Sequence, residues 1–121
     1  MVAPRSKYRA KPVVADGERF PSQAEFRRWN ELRMLERAGV ISGLERQKAF
    51  PLVIDGKPIL IRSEGYPNGR KAKYTADFVY FENGERIVEE FKGKDTTESR
   101  LRRAVAEAIY GFRIRVTGRA A

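Results

Sequence analysis

The residues best suited to chemistry are Asp77, in Tyr74-Thr75-Ala76-Asp77-Phe78, and Glu90 with Lys92, in Val88-Glu89-Glu90-Phe91-Lys92. In an extended strand, side chains two apart share a face, so Glu90 and Lys92 project together and Phe91 points away. Asn83-Gly84, between the two runs, suits a tight hairpin turn. Pairing of Tyr74–Phe81 against Arg86–Lys92 then brings the Asp77 carboxylate beside that of Glu90. Adjacent carboxylates repel unless a cation lies between them, and Mg²⁺ accepts one or two carboxylates while keeping several waters. Such an ion lowers the pKa of a bound water and polarises a phosphoryl oxygen. Lys92 would orient that water or stabilise charge developing on the phosphate, and the residue types suit both roles. Glu89 faces away from Glu90 on a regular strand, so the Glu-x-Lys spacing assigns the metal to Glu90; a β-bulge would exchange the two.

Elimination supports the same chemistry. The chain has no histidine and no cysteine, which removes imidazole bases, thiolate ligands, cysteine nucleophiles and disulfides. Carboxylates holding a hard cation such as Mg²⁺ or Mn²⁺, with lysine beside them, are what remains for hydrolysis near neutral pH. Lys and Arg total 25 against 16 Asp and Glu, a net charge of +9 that points to a polyanionic partner, nucleic acid first among them. Glu-x-Lys alone is common on the solvent face of a ribbon. Here, however, Asp77 interrupts an apolar and aromatic run, and Glu89-Glu90 breaks into Ile87-Val88…Phe91. Acids at half-buried strand positions need a compensating partner.

The elements that must position these residues can be read around them. The first eleven residues, with Arg5, Lys7 and Arg9, form a basic arm, and 12–121 make a single domain. Asp16-Gly17 turns an N-terminal hairpin. Ser22-Gln23-Ala24-Glu25 is a capping box that opens a helix to about Ala38, with Phe26, Trp29, Leu32 and Leu35 as its core stripe. Two strands around Asp55-Gly56-Lys57 lie within 44–61, and 62–73 reads as an exposed basic loop. Asp95-Thr96-Thr97-Glu98 caps a second helix with Leu101, Val105 and Ile109 at spacing four, Gly111 stops it, and 112–117 forms a last strand. No apolar run spans a bilayer and the basic start lacks a signal-peptide core, so the expectation is a cytoplasmic protein without membrane contact.

Taken together, Tyr74-Thr75-Ala76-Asp77-Phe78…Val88-Glu89-Glu90-Phe91-Lys92-Gly93 resembles the PD-(D/E)XK nuclease superfamily, with alanine in place of the proline before Asp77. More closely, the chain is similar to small phage-encoded endonuclease-like proteins, through Asp16-Gly17, Phe20-Pro21-Ser22-Gln23-Ala24-Glu25 and Leu44-Glu45-Arg46-Gln47 in that order. The resemblance implies an α/β fold with a restriction-endonuclease-like core, a mixed central sheet flanked by two helices in the order helix, three strands, helix, strand. It further implies a Mg²⁺- or Mn²⁺-dependent endonuclease that nicks or resolves duplex or branched DNA during phage replication or recombination in a bacterial host cell. Asp77, Glu90 and the Phe91 backbone carbonyl would hold metal, and Lys92 would act at the scissile phosphate. Glu25 matches an acidic position on the first helix, but equally serves as the third residue of the capping box. Gln47, Arg70, Lys71, Lys73, Lys94, Arg100 and Arg103 are the candidate DNA contacts, and a homodimer would supply one site for each strand. The rival expectation is a basic DNA-binding module that keeps the fold without catalysis.

Overall fold

The computed structural model describes residues 11–118, which leaves Arg5, Lys7 and Arg9 of the expected arm outside the described residues. Asp16 and Gly17, both at positive φ, turn a short hairpin of β1 (Val13–Ala15) and β2 (Glu18–Phe20). Helix α1 (Gln23–Arg37) starts where the Ser22 hydroxyl accepts the Glu25 N–H at 3.1 Å. Strand β3 (Ile41–Pro51) follows, then the two small hairpins β4 (Val53–Ile54) with β5 (Lys57–Pro58) and β6 (Leu60–Ser63) with β7 (Tyr66–Lys71). The central hairpin is β8 (Lys73–Glu82) and β9 (Glu85–Phe91). Helix α2 (Thr97–Tyr110), capped by Thr96 and ended by Gly111 at φ +77°, leads to β10 (Ile114–Thr117).

The main sheet runs β10-β9-β8-β3, antiparallel except for the parallel β10–β9 pair, whose crossover is α2. Along β9, Ile87 and Phe91 pack on one side with Leu32, Trp29 and Leu35 of α1, while Val88 packs on the other with Ala106, Val105 and Ile109 of α2. The helices therefore cover opposite faces of an α/β sheet, and the elements α1, β3, β8, β9, α2, β10 follow the expected order.

Three expectations are corrected. The strand expected from Leu44 starts at Ile41 and is the long edge strand of the main sheet, so Asp55-Gly56 turns only the two-residue strands β4 and β5. Residues 62–73 are not a loop: Glu64 and Gly65 turn the β6–β7 hairpin, and Pro67 is tolerated because β7 pairs on one side only. Leu101 is 65% exposed, outside the core of α2. Arg103 takes the inward position near the start of that helix, drawn by acids on β9 and in the loop before α2.

Candidate active site

Strands β8 and β9 set Asp77 opposite Glu90, continuing the register in which Phe78 meets Glu89. One Asp77 oxygen accepts the Phe91 N–H at 2.8 Å and the other accepts the Gln47 side-chain amide at 3.1 Å. Gln47 adopts φ +54°, a left-handed conformation that costs a non-glycine residue energy and often marks a functional position. At the same place β8 changes phase: Tyr74 and Ala76 pack on the α2 side, whereas Phe78 and Tyr80, of the same parity, pack on the α1 side. Burial pushes the Asp77 carboxyl up to about 6 although the Phe91 and Gln47 donors favour its charged form, and Glu90 adds to the rise.

Glu90 and Lys92 share the α2 side of β9, with Lys92 Nζ 4.0 Å from Glu90 Oε2. The same oxygen accepts from Arg103 Nη1 at 2.5 Å, and Arg103 is itself forked onto Asp95 at the start of α2. The buried Tyr74 hydroxyl has no hydrogen-bond partner, and burial with the nearby Glu90 charge raises its pKa.

Glu25 resolves toward the sheet. Its backbone N–H serves the Ser22 cap, but the residue is only 4% exposed, with carboxylate Oε2 buried without a hydrogen-bond partner and 3.7 Å from Arg46 Nη2. Burial and then the Asp77 charge push it up to about 7, against the opposing pull of Arg46. Arg46 lies over the Phe20 ring at 3.8 Å. Glu89 is on the other face, as a regular strand requires. Fully buried, it receives Arg28 Nε and Nη2 at 2.8 and 2.9 Å, Tyr80 at 2.5 Å and Thr117 at 3.0 Å. Burial would raise its pKa, yet these donors overcome that and hold it below the usual carboxylate range. Glu89 thus ties α1, β8, β9 and β10 together and has no lone pair to spare for a site.

The side chains fit a hard divalent cation in part. Asp77 and Glu90 offer two carboxylates, the number Mg²⁺ commonly takes beside its waters, and the unpartnered Glu25 oxygen leaves negative charge under-compensated. Among the described residues no three acidic side chains converge tightly enough to hold an ion by themselves. Phe91 meets Asp77 through its N–H.

The expected DNA contacts divide into two groups. Gln47 is bonded to Asp77 and Arg103 to Glu90 and Asp95, so both belong to the carboxylate cluster. Arg70, Lys71, Lys73, Lys94 and Arg100 are exposed, Arg100 lying 3.8 Å from Asp95. Arg46, Tyr74 and Asp95 escaped the reading of the sequence. Arg46 was within reach, since it adjoins Gln47 in the Leu44–Gln47 element. Tyr74 looked like one more aromatic of a strand, and Asp95 like a helix-start residue.

Residues 5–117 match the family described as protein of unknown function (DUF1064). No curated protein and no solved structure matches the chain.

Proposed function

The chain belongs to this family of proteins of unknown function (DUF1064), and from its own side chains we propose that it is a Mg²⁺- or Mn²⁺-dependent DNA endonuclease, a phosphodiester hydrolase of the PD-(D/E)XK kind. The observation that carries this reading is Asp77: a half-buried carboxylate aimed by the Phe91 N–H and Gln47, opposite Glu90 and near Lys92 and Glu25, with its proton held to about pH 6. Asp77 and Glu90 are the residues that would hold the cation, which supplies Lewis-acid polarisation of the phosphate and a more acidic water. Lys92 places a positive charge where a phosphate oxygen gains negative charge. Gln47 orients Asp77, and Arg103, steered by Asp95, orients Glu90. The net charge of +9 draws in the polyanion. Nicking or resolution of branched DNA in phage replication or recombination, in the cytoplasm of a bacterial host, is the substrate setting of this proposal, with a homodimer serving the two strands.

Purified protein with Mn²⁺ is expected to cleave plasmid or branched DNA, and Asp77→Ala and Lys92→Ala are each expected to slow cleavage by about a hundredfold or more. Cleavage that persists unchanged in both variants refutes the assignment. The Arg103–Glu90 ion pair, which occupies one candidate ligand, favours a second reading as a non-catalytic DNA-binding module. It predicts salt-sensitive DNA binding with neither cleavage nor a metal requirement.

A further inference from the structure

Among the described residues, cations without an acidic partner occur on several elements, including Arg27 and Arg37 of α1, but four lie close together in sequence, away from the carboxylates. Arg28, Arg46, Arg103 and Arg115 are each paired with an acid. Among the described residues, Arg62, Arg70, Lys71 and Lys73 form no ion pair; Arg70 instead lies 5.6 Å over the ring of Tyr66, itself 52% exposed. The first three belong to the β6–β7 ribbon or its turn, where residues 62–71 are all exposed except Gly69.

That ribbon pairs only with itself, yet its root is fixed. The Ala72 N–H donates to the Ile59 carbonyl at 2.8 Å, the Ala72 carbonyl accepts the Leu52 N–H at 3.1 Å, and Ile59 and Ile61 pack on the α2-side core. In the ladder Arg70 stands opposite Ile61 and Lys71 opposite Leu60. Neighbouring residues of a strand point to opposite faces, so the ribbon carries positive charge on both. A flat anionic surface would neutralise one face only. A groove with phosphates along both walls neutralises both, and the major groove of B-DNA admits a two-stranded β-ribbon, while that of A-form RNA is too narrow.

We propose that the β6–β7 hairpin enters the major groove of duplex DNA, with Arg70 and Lys71 directed to opposite groove walls and Tyr66 near the tip. The inference rests on the DNA reading above and adds where the duplex lies. β7 runs through Ala72 into β8, so Arg70 and Asp77 are separated by at most roughly 23 Å at about 3.3 Å per residue, or about seven base pairs. The hairpin would therefore grip the duplex to one side of the carboxylates.

The test is fluorescence anisotropy with a labelled DNA duplex in EDTA, so that binding is read without cleavage. The double variant Arg70→Ala/Lys71→Ala is expected to bind about tenfold or more weakly, and to lower the magnitude of the log K against log salt slope by about 2. Arg27→Ala/Arg37→Ala, which removes the same charge from the exposed side of α1, is expected to leave both nearly unchanged, and an RNA duplex to bind far more weakly than DNA. Equal effects of the two double variants, equal affinity for RNA and DNA, or no duplex binding by the unaltered protein would each overturn the proposal. The nuclease reading stands or falls separately, on cleavage that depends on Asp77.

Discussion

Glu25 and Glu89 are both buried acids, and they differ in what surrounds the charge. Glu89 receives four hydrogen bonds from three side chains, two of them from a guanidinium, whereas Glu25 Oε2 has no hydrogen-bond partner and its guanidinium stands 3.7 Å off. The pKa of Glu25 is raised from 4.5 to about 7, so the folded state holds this proton more tightly than the unfolded chain. Its contribution to stability is full below the unfolded value and is lost as pH rises through about 7, an effect of at most roughly 3 kcal/mol. Asp77, raised to about 6, acts in the same direction. Urea denaturation without divalent ions is therefore expected to show stability falling between about pH 5 and about pH 8, and Glu25→Gln to flatten that fall. An identical pH dependence in the variant would show that Glu25 is compensated in the fold. At this scale strand alternation put Glu90 and Lys92 on one face and the hairpin put Asp77 opposite them, as the structure has them, but the sequence left Glu25 between cap and site, because one capping box permits either orientation of the carboxylate.

Among the elements, β10 decides where Lys92 sits. Lys92 lies one residue beyond β9, and its N–H donates to the Thr117 carbonyl at 2.9 Å. The next residue, Gly118, has φ +90°, and a Cβ built there would stand 2.5 Å from the Lys92 carbonyl oxygen. Gly118→Ala must shift this backbone, with an expected cost of roughly 1–3 kcal/mol in urea denaturation. On the nuclease reading, cleavage should fall further than DNA binding. A variant as stable and active as the unaltered protein would show that the strand ends adapt freely. The helices and the three Asp-Gly or Asn-Gly hairpin turns were legible because caps, glycine stops and turn pairs are local, whereas the parallel pairing of β10 with β9 across α2 was not. Nor was the β6–β7 ribbon: Gly, Pro, Asn and basic residues over 62–73 have the composition of a loop, and its ladder is held at a root where Ala72 bonds to Leu52 and Ile59, both outside the segment.

For the molecule as a whole, the unbalanced charges make opposite demands. The net +9 favours a polyanion, and the under-compensated acids at Glu25 and Asp77 favour a cation. A ligand that binds only the folded state adds stability, about 2.7 kcal/mol at a hundredfold excess over its Kd. Mn²⁺ at about pH 8, where both raised carboxyls are ionised, is expected to raise Tm by several degrees, and Asp77→Ala to abolish the shift. A shift of the same size in the variant would move the ion elsewhere in the molecule. Among the described residues, no helix is long and apolar enough to cross a membrane.

The order of residues was enough to establish the set of chemical groups, the absence of histidine and cysteine, the charge, and the elements whose start and stop residues lie within a few positions of each other. It also determined that Glu90 and Lys92 share a face, since that follows from the two-residue repeat of a strand. Packing in three dimensions was needed to set Gln47 on Asp77, to turn Arg103 inward onto Glu90 and Asp95 in place of Leu101, to spend Glu89 on Arg28, and to face Glu25 toward Arg46 and the Asp77 charge. Each of those outcomes joins residues far apart in the chain, and each depends on which charge burial leaves uncompensated, a quantity set by packing and carried by no local pattern of residues.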